Sequence, residues 1–313
     1  MSLELPPPAS RPTLYFIGVT TKSSSIRTVF PRWAEHLGID AVLEGIDLPV
    51  HAPAEDYRRV VEFLAASELG RGALVTTHKL DLFTACRDLF ARVDPLAELM
   101  HEVSCLSTSD GVVAHAKDPI SAGLAVDAVA PPGYWSSSGA DVFLIGAGGA
   151  AIALSWYLSR SGRGADRPRR IVVSDRDPDR LDALKKVHAE AGTDVAIETA
   201  TTPEPGDNDR VLASLSPGSL VVNATGLGKD APGSPLTDGA TFPRDALAWD
   251  LNYRGELRFL DQARAAGHVG VHDGWVYFLH GWTQVISEVF GIEIATRGPE
   301  FQALSDLAAG ARR

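Results

Sequence analysis

Short apolar runs alternate with amphipathic segments along the first part of the chain. Residues 15–19 form an apolar run that is typical of a buried strand, and a polar loop follows it over 20–25. Apolar side chains then recur with helical spacing at Tyr57, Val60, Val61 and Leu64. A second apolar run over 73–76 predicts another strand. This alternation predicts an α/β domain over residues 13–130.

The two ends of this domain are marked by composition. The Pro-rich residues 1–12 lack apolar periodicity, and we predict a flexible lead-in there. Asp118 followed by Pro119 is typical of a helix start with aspartate at the N-cap. Proline, glycine and serine then crowd residues 131–139, as in a linker. We therefore place a domain boundary at about residue 131.

Beyond this boundary, strands and helices alternate regularly. The pattern predicts strands over 142–145, 171–173, 195–199, 220–223, 249–251 and 269–271, and helices over 148–158 and 178–188. Short apolar strands that alternate with helices are typical of a parallel, doubly wound sheet. We predict such a domain over residues 131–272 and an α/β fold for the whole chain.

The composition agrees with two globular domains. The chain has 313 residues and a mass of 33.3 kDa, and its hydrophobic fraction of 45% and charged fraction of 22% are ordinary for globular proteins. A formal net charge of −11 has the wrong sign for contact with a phosphate backbone. We therefore expect no nucleic-acid partner.

Metal sites and membranes are also disfavoured. Cys86 and Cys105 stand outside any C-x-x-C spacing, and the lone histidines His115 and His280 lack metal-ligand spacing, so we predict no metal and no disulfide framework. No apolar run is long enough to cross a bilayer, and the N-terminal residues lack a signal-peptide pattern. We predict a cytoplasmic protein without a membrane partner, either a monomer or a homodimer.

A glycine-rich turn follows the strand predicted over 142–145. Gly146 permits a tight turn, Gly148 leaves room for a diphosphate at a helix N-terminus, and Ala151 is small enough for helix-on-strand packing. Gly149 and Ala150 complete the start of the helix. The alternative is a turn that uses glycine for its geometry alone. The strand, turn and helix context favours a dinucleotide site and hence a Rossmann domain.

The next predicted strand ends in an acid, Asp175, which lies 29 residues after Gly146. A carboxylate there accepts hydrogen bonds from a ribose diol and repels a 2′-phosphate, so it favours NAD over NADP. The neighbouring Arg176 allows the opposite preference, because a guanidinium pairs with phosphate. We predict NAD, with NADP possible. S-adenosylmethionine methyltransferases also have a glycine-rich turn and an acid at these places, so these two features alone are equally compatible with that class of enzyme.

Lys79 and Asp118 are the candidate proton-handling pair in the first part of the chain. Lys79 follows the strand predicted over 73–76. The alternative for Lys79 is a solvated surface lysine, since lysine is mostly exposed in proteins. The alternative for Asp118 is a helix N-cap without catalytic work.

Seven segments follow one another in the order and spacing of a known family. They are residues 18–25, 72–79, 115–118, 146–151, 223–228, 250–253 and 273–291. Together they resemble the shikimate dehydrogenase family, and the resemblance covers residues from about 15 to 292. It implies an NAD(P)-dependent oxidoreductase that transfers hydride between nicotinamide and a secondary alcohol. It also implies an N-terminal substrate domain, a Rossmann domain, and a C-terminal helix, within about 273–313, that returns to complete the first domain.

The resemblance assigns roles to single positions. Lys79 stands at the catalytic lysine of the family, and Asp118 stands at its aspartate partner. Positions that contact the substrate are Ser23 and Ser25, which bind its carboxylate, and Thr76 and Tyr253 in the pocket. Positions that contact the cofactor, beside the glycine-rich turn, are Asn223, Thr225 and Gly274. Because hydride transfer from an alcohol requires a group that takes the hydroxyl proton, we predict Lys79 as the general acid/base and Asp118 as its orienting partner.

Several polar positions of the family pattern are changed. Leu74, Ser104 and Ala116 stand where the family carries asparagine, and Gly281 stands where it carries glutamine. We count Ser104 as a substrate residue, and Gln284, one helical turn beyond Gly281, is a candidate replacement. Sites that bind hydroxyl groups discriminate strongly, because their polar groups otherwise stay unpaired. We therefore expect a hydroxy/oxo carboxylate substrate other than shikimate. The rival hypothesis is a non-catalytic dinucleotide-binding regulator with a degenerate substrate site.

Overall fold

The computed structural model describes residues 3–229 and 231–312. The chain divides into two compact units: one runs to Lys117 and resumes at Gly281, and the other is Asp118–His280. The first two residues of the predicted lead-in and the last residue of the chain lie outside the described residues. Among residues 3–12 there is no helix or strand, and the side chain of Leu3 is buried.

The first unit contains a mixed sheet. Its strands are β1 (Thr13–Gly18), β2 (Val42–Asp47), β3 (Gly70–Val75), β4 (Arg92–Val93), β5 (Cys105–Ser107) and β6 (Val113–His115). They lie in the order β2-β1-β3-β5-β6-β4. Strands β2, β1 and β3 are parallel, whereas β5 runs antiparallel to both β3 and β6. Every residue of β1 is buried, as expected for a central strand covered on both faces.

Helices cover this sheet. They are α1 (Ile26–Leu37), α2 (Ala54–Ala66), α3 (Lys79–Cys86) and α4 (Pro95–Met100), together with the last part of α11 (Trp275–Phe290) and α12 (Pro299–Ala309). The C-terminal helix packs on α1, where the Trp33 indole N–H donates to the carbonyl of Leu304 at 2.8 Å. The predicted return of the C-terminal segment to the first unit is confirmed, although it begins at Gly281 and not at about residue 273.

The second unit contains a wholly parallel sheet. Its strands are β7 (Val142–Ile145), β8 (Arg170–Asp175), β9 (Ala196–Thr201), β10 (Leu220–Asn223), β11 (Leu247–Asp250) and β12 (Gly270–His272). They lie in the order β12-β11-β10-β7-β8-β9. Its helices are α5 (Asp118–Val129), α6 (Tyr134–Ser138), α7 (Gly149–Ser159), α8 (Pro178–Glu190), α9 (Pro205–Leu212), α10 (Arg258–Ala265) and the first part of α11. The predicted doubly wound topology is confirmed.

Apolar side chains of the parallel strands form the core of the second unit. Phe143, Val221 and Ala248, on three neighbouring strands, are fully buried in one cluster with Phe259 and Leu260 of α10. Continuous apolar runs of this kind are what a sheet covered on both faces requires. The sequence therefore predicts β7 and β10 with their observed bounds.

Two expectations near the predicted boundary are wrong in detail. Helix α5, which the composition places in the first domain, belongs to the second compact unit. It packs on α7, and a Cβ atom on Gly123 would lie 2.1 Å from the ring of Tyr157, so glycine permits this close approach. Residues 131–139 are no simple linker, since α6 forms there with Trp135 buried. The Asp166 carboxylate stabilises that short helix by accepting hydrogen bonds from the N–H groups of Gly133 and Trp135.

Within residues 3–229 and 231–312, no helix has the length and apolar character that crossing a bilayer requires.

Candidate functional site

The glycine-rich turn follows β7 and is fixed from two sides. Gly146 has φ +103°, and a Cβ atom on it would lie 2.9 Å from the carbonyl oxygen of Ala224. Its N–H donates to the carbonyl of Ser174 at 2.7 Å. The positive φ and the close backbone approach both require glycine here. Gly146 therefore forms the predicted tight turn after β7, which packs between the ends of β8 and β10.

The start of α7 leaves space beside the turn. Gly148 is the N-cap residue with φ −78°, so glycine is not required by its backbone. A Cβ atom on Gly148 would meet no protein atom within 4 Å. Gly149 and Ala150 form the first turn of α7, where backbone N–H groups have no intrahelical acceptor. Ala151 is buried, as predicted for helix-on-strand packing. These residues fit the diphosphate of a dinucleotide, which would lie where the Gly148 side chain is missing.

Asp175 lies at the end of β8 and is tied to the turn. Its Oδ2 accepts a hydrogen bond from the N–H of Ala147 at 2.7 Å, and its Oδ1 accepts one from the N–H of Asp177 at 3.0 Å. The side chain of Arg176 is exposed beside it. Asp175 therefore has a structural role that sequence reasoning missed, in addition to the predicted ribose contact.

Asn223 ends β10 and organises the loop that follows. Its Nδ2 donates to Oδ2 of Asp250 at 3.0 Å and to the carbonyl of Leu227 at 3.1 Å. Its Oδ1 accepts from the N–H and the hydroxyl of Thr225, at 3.1 and 2.7 Å. Two predicted cofactor residues, Asn223 and Thr225, thus bind each other and fix the loop of residues 224–228.

Asp250 is a buried carboxyl group at the end of β11. Burial raises its pKa to about 6, and the charge of Asp273 acts in the same direction. Hydrogen bonds from the N–H of Asn252, at 2.8 Å, and from Asn223 partly oppose this rise. Tyr253 follows in the same loop, and the centroid of its ring lies 4.8 Å from the centroid of the Phe278 ring. The loop that carries the predicted pocket residue Tyr253 therefore begins at a carboxyl group, that of Asp250, whose pKa is raised.

Gly274 lies directly before α11 and touches the same loop. A Cβ atom on Gly274 would lie 2.0 Å from the carbonyl oxygen of Leu251, and its N–H donates to the carbonyl of Asn252 at 2.9 Å. Only glycine allows this approach of two backbone segments. Its observed role is to join α11 to the end of β11.

Asp118 is the first residue of α5 and is buried. The hydroxyl of Tyr277, in the first turn of α11, donates to Oδ2 of Asp118 at 3.2 Å. Both residues belong to the second unit. Sequence reasoning missed Tyr277, and no motif signals a tyrosine at this position of α11.

Lys79 lies in the first unit, at the start of α3. Strand β3 ends at Val75, Thr76 donates its N–H to the carbonyl of Ile17 at 3.0 Å, and Thr77 has φ +65°. The turn places Lys79 as the first residue of α3, with its carbonyl accepting from the N–H of Val103 at 3.2 Å. Lys79 is half-buried, which differs from a freely solvated lysine. It belongs to a different compact unit from Asp118.

The predicted serines of the first unit differ in their surroundings. Ser23 is exposed and its hydroxyl donates to the carbonyl of Thr20 at 3.1 Å, and Ser25 is the half-buried N-cap residue of α1. Ser104 is buried, and its Oγ accepts from the N–H of Lys117 at 2.7 Å. Ser104 therefore fixes the backbone immediately before Asp118, a role that the sequence does not reveal.

A partly buried ionic cluster that sequence reasoning also missed involves the part of α11 near Gln284, which is half-buried. Glu288, one turn further along, accepts a hydrogen bond from Lys117. His115 lies between this carboxylate and Asp94, with Nδ1 at 3.3 Å from Asp94 Oδ2. Burial alone would raise the pKa of Glu288, but Lys117 and His115 outweigh it and hold that pKa below its usual range. The cluster stabilises the segment that leads to Asp118.

Sequence and structure comparisons place the chain among known enzymes. No protein-family model matches it. The shikimate dehydrogenase (NADP(+)) of Methanothrix thermoacetophila is 30% identical over 210 residues, which are 65% of this chain and 70% of the relative. The shikimate dehydrogenase (NADP(+)) of Paracidovorax citrulli is 32% identical over 204 residues, 64% of this chain and 65% of the relative.

A solved structure shares the fold over almost the whole chain. Quinate dehydrogenase from Corynebacterium glutamicum, in complex with NAD, has a TM-score of 0.74 at 21% identity and covers 96% of this chain and 99% of its own. A doubly wound unit with a glycine-rich turn, joined to a second α/β unit, defines the class of two-unit oxidoreductases that use NAD(P). Within that class, the chain belongs to the shikimate dehydrogenase family, whose members act on CH–OH groups. The predicted family and enzyme class are confirmed.

Proposed function

We propose that this enzyme transfers hydride reversibly between a nicotinamide cofactor and a secondary alcohol or ketone of a carboxylated alicyclic substrate other than shikimate. The second unit would hold the cofactor, and the first unit would hold the substrate. Shikimate and quinate, which name the relatives and the solved structure, are both hydroxylated ring carboxylates. The family supports the reaction class, and the changed residues support a different substrate.

The cofactor would lie on the second unit. Gly148 provides the space and the first turn of α7 provides the N–H groups for the diphosphate, while Asp175 would accept the ribose hydroxyls. When bound, nicotinamide supplies the hydride acceptor or donor. We propose a preference for NAD, because Asp175 places a negative charge where NADP carries a phosphate. The exposed Arg176 is the residue that would moderate this preference.

Lys79 would transfer the proton as the general acid/base. A half-buried amine at the start of a short helix takes the hydroxyl proton during oxidation and returns it during reduction. Asp118 would contact the reacting hydroxyl. Ser23 and Ser25 would bind the substrate carboxylate through their hydroxyl groups, since a hydroxyl donates to a carboxylate oxygen. Thr76 would line the pocket.

One observation carries the proposal of an altered substrate. Leu74 and Ala116 stand where the family pattern has asparagine. Both carry apolar side chains and are only 9% and 1% exposed, so neither offers a hydrogen-bond partner to a substrate hydroxyl. Ser104 is engaged with the Lys117 backbone, and Gly281 has open space where a side chain would stand. A pocket that loses hydroxyl partners no longer favours a substrate with the same hydroxyl pattern. Gln284 is the polar side chain of the first unit that would contact the changed part of the ring.

A substrate screen tests this proposal. Reduction of NAD and of NADP is followed by absorbance with shikimate, quinate and ring carboxylates that lack or relocate single hydroxyl groups. We expect the largest kcat/KM with an analogue that lacks a hydroxyl group of shikimate. A preference for shikimate by orders of magnitude would overturn the altered-substrate proposal. Absence of turnover with every hydroxy acid, with dinucleotide still bound, would support the non-catalytic regulator.

A further inference from the structure

The carboxylate of Asp118 is buried at the start of α5 and needs hydrogen-bond donors. Its side chain is only 7% exposed, and a buried carboxylate is unfavourable unless hydrogen-bond donors replace the lost water. The N-terminus of a twelve-residue helix favours negative charge but leaves the direction of the side chain open. A carboxylate that assists catalysis needs one fixed orientation. A hydrogen-bond donor held in place by its own neighbours can set that orientation.

Tyr277 supplies that donor from a rigid position. Its hydroxyl donates to Oδ2 of Asp118 at 3.2 Å. Its ring meets the ring of Trp249 edge-on, with centroids 6.2 Å apart and an angle of 78°. Trp249 is itself held, since its indole N–H donates to the carbonyl of Asp273 at 3.1 Å. Two successive contacts thus fix the direction of the Tyr277 hydroxyl.

This chain of contacts starts at the edge of the sheet where dinucleotides bind in doubly wound folds. Trp249 precedes Asp250, the last residue of β11, and Asp250 is paired with Asn223, the last residue of β10. The carboxyl ends of parallel strands form the crevice that holds ligands in this fold class. Tyr277 therefore links the cofactor edge of the sheet to Asp118 within a single compact unit.

We infer that Tyr277 is a positioning residue of the proposed reaction, which holds the carboxylate of Asp118 in one orientation relative to the end of β11. The inference rests on the proposed function of Asp118. The contact lies within the second unit, because both residues belong to it.

The chain offers a matched control for removing this hydroxyl. Tyr157 also donates its phenol hydroxyl to a carboxylate of α5, Asp127, at 2.6 Å. Tyr277→Phe and Tyr157→Phe therefore make the same chemical change at opposite ends of one helix. We expect Tyr277→Phe to lower kcat about tenfold, as loss of a hydrogen bond to a charged group does, with the Kd of the dinucleotide changed less than about twofold. Tyr157→Phe should lower Tm while leaving kcat and KM unchanged.

A double-mutant cycle separates positioning from general stability. If Tyr277 acts through Asp118, then Tyr277→Phe should lower kcat by less than about twofold further in an Asp118→Asn background. Circular dichroism and dinucleotide affinity show that each variant is folded. An undiminished effect of Tyr277→Phe in that background overturns the inference, as does a kcat within twofold of the parent when Asp118→Asn lowers turnover. If Asp118→Asn leaves turnover unchanged, or if no hydroxy acid is turned over, the proposed function fails first and the inference falls with it.

Discussion

The carboxylate of Asp175 accepts a 2.7 Å hydrogen bond from the backbone N–H of Ala147, which fastens the end of β8 to the glycine-rich turn. Its other oxygen accepts from the N–H of Asp177. A carboxylate has about four lone-pair sites, so two ribose hydroxyls would still find acceptors. The same side chain therefore shapes the turn and, in our proposal, selects the cofactor.

Replacement of Asp175 should change cofactor preference. We expect Asp175→Ser to lower the ratio of kcat/KM for NAD to kcat/KM for NADP by about tenfold or more, because repulsion of the 2′-phosphate is removed. Stability should fall by about 1 kcal/mol through the lost hydrogen bond to Ala147. Arg176→Ala should shift the ratio in the opposite direction. A native enzyme that already prefers NADP contradicts this assignment and makes Arg176 the dominant group.

The space at Gly148 gives a second prediction. Gly148→Ala places a methyl group where no protein atom lies within 4 Å, so stability should not fall, but the diphosphate should be excluded. We expect dinucleotide affinity, measured by titration calorimetry, to fall by at least about tenfold. Gly206→Ala, at a half-exposed glycine near the start of α9 with equally open space, is the matched control and should bind normally. Gly146→Ala should instead destabilise the fold by about 1–3 kcal/mol, because its φ is +103°. Normal binding by Gly148→Ala would show that the dinucleotide lies elsewhere.

The second unit was more predictable from sequence than the first, for a physical reason. Strands β7 and β10 are continuous apolar runs bounded by polar residues, so the predicted and observed bounds agree. Strands β4, β5 and β6 are two or three residues long and carry no periodicity to detect. Helix α5 is buried on most of its surface, and its spacing therefore does not reveal that it packs on α7.

The sequence predicted which residues form the candidate site better than it predicted the contacts that those residues make. Motifs located Asp118, Asp175 and Asn223, because residue type and spacing are visible in one sequence. The partners Tyr277 and Ala147 depend on how distant segments pack, and neither carries a signal of its own. Tertiary hydrogen bonds of buried groups are set by the fold, which local patterns do not encode.

Lys79→Ala tests the proton-transfer role. We expect kcat to fall by about 10² or more, as removal of a general acid/base does, while dinucleotide affinity stays within about twofold. The exposed Lys185 of α8, which pairs with Asp182 on the surface, provides a control substitution, Lys185→Ala, that should leave turnover unchanged. A Lys79→Ala variant with unchanged kcat would remove the lysine from the mechanism.

Asp250 makes stability depend on pH in a direction opposite to that of an ordinary paired aspartate. Its pKa is about 6 in the folded protein, chiefly because of burial, against an ordinary value of 3.8 that we take for the unfolded chain. Between these values the folded state binds the extra proton, so stability falls as pH rises from about 4 to 6 and is constant above that window. The difference amounts to as much as about 3 kcal/mol.

The effect is measurable as a difference between two proteins. Urea unfolding of the parent and of Asp250→Asn is followed at several pH values from 4.5 to about 7.5, and the two free energies of unfolding are subtracted. Groups common to both proteins cancel, so we expect the parent to lose stability relative to Asp250→Asn as pH rises through the window. Because local opening would return the buried charge to water, the loss should be accompanied by lower protection factors for hydrogen exchange in residues 224–228, which follow the Asp250 partner Asn223. A difference that is flat with pH, or one that rises, would mean that Asp250 is ionised in the folded protein throughout this range.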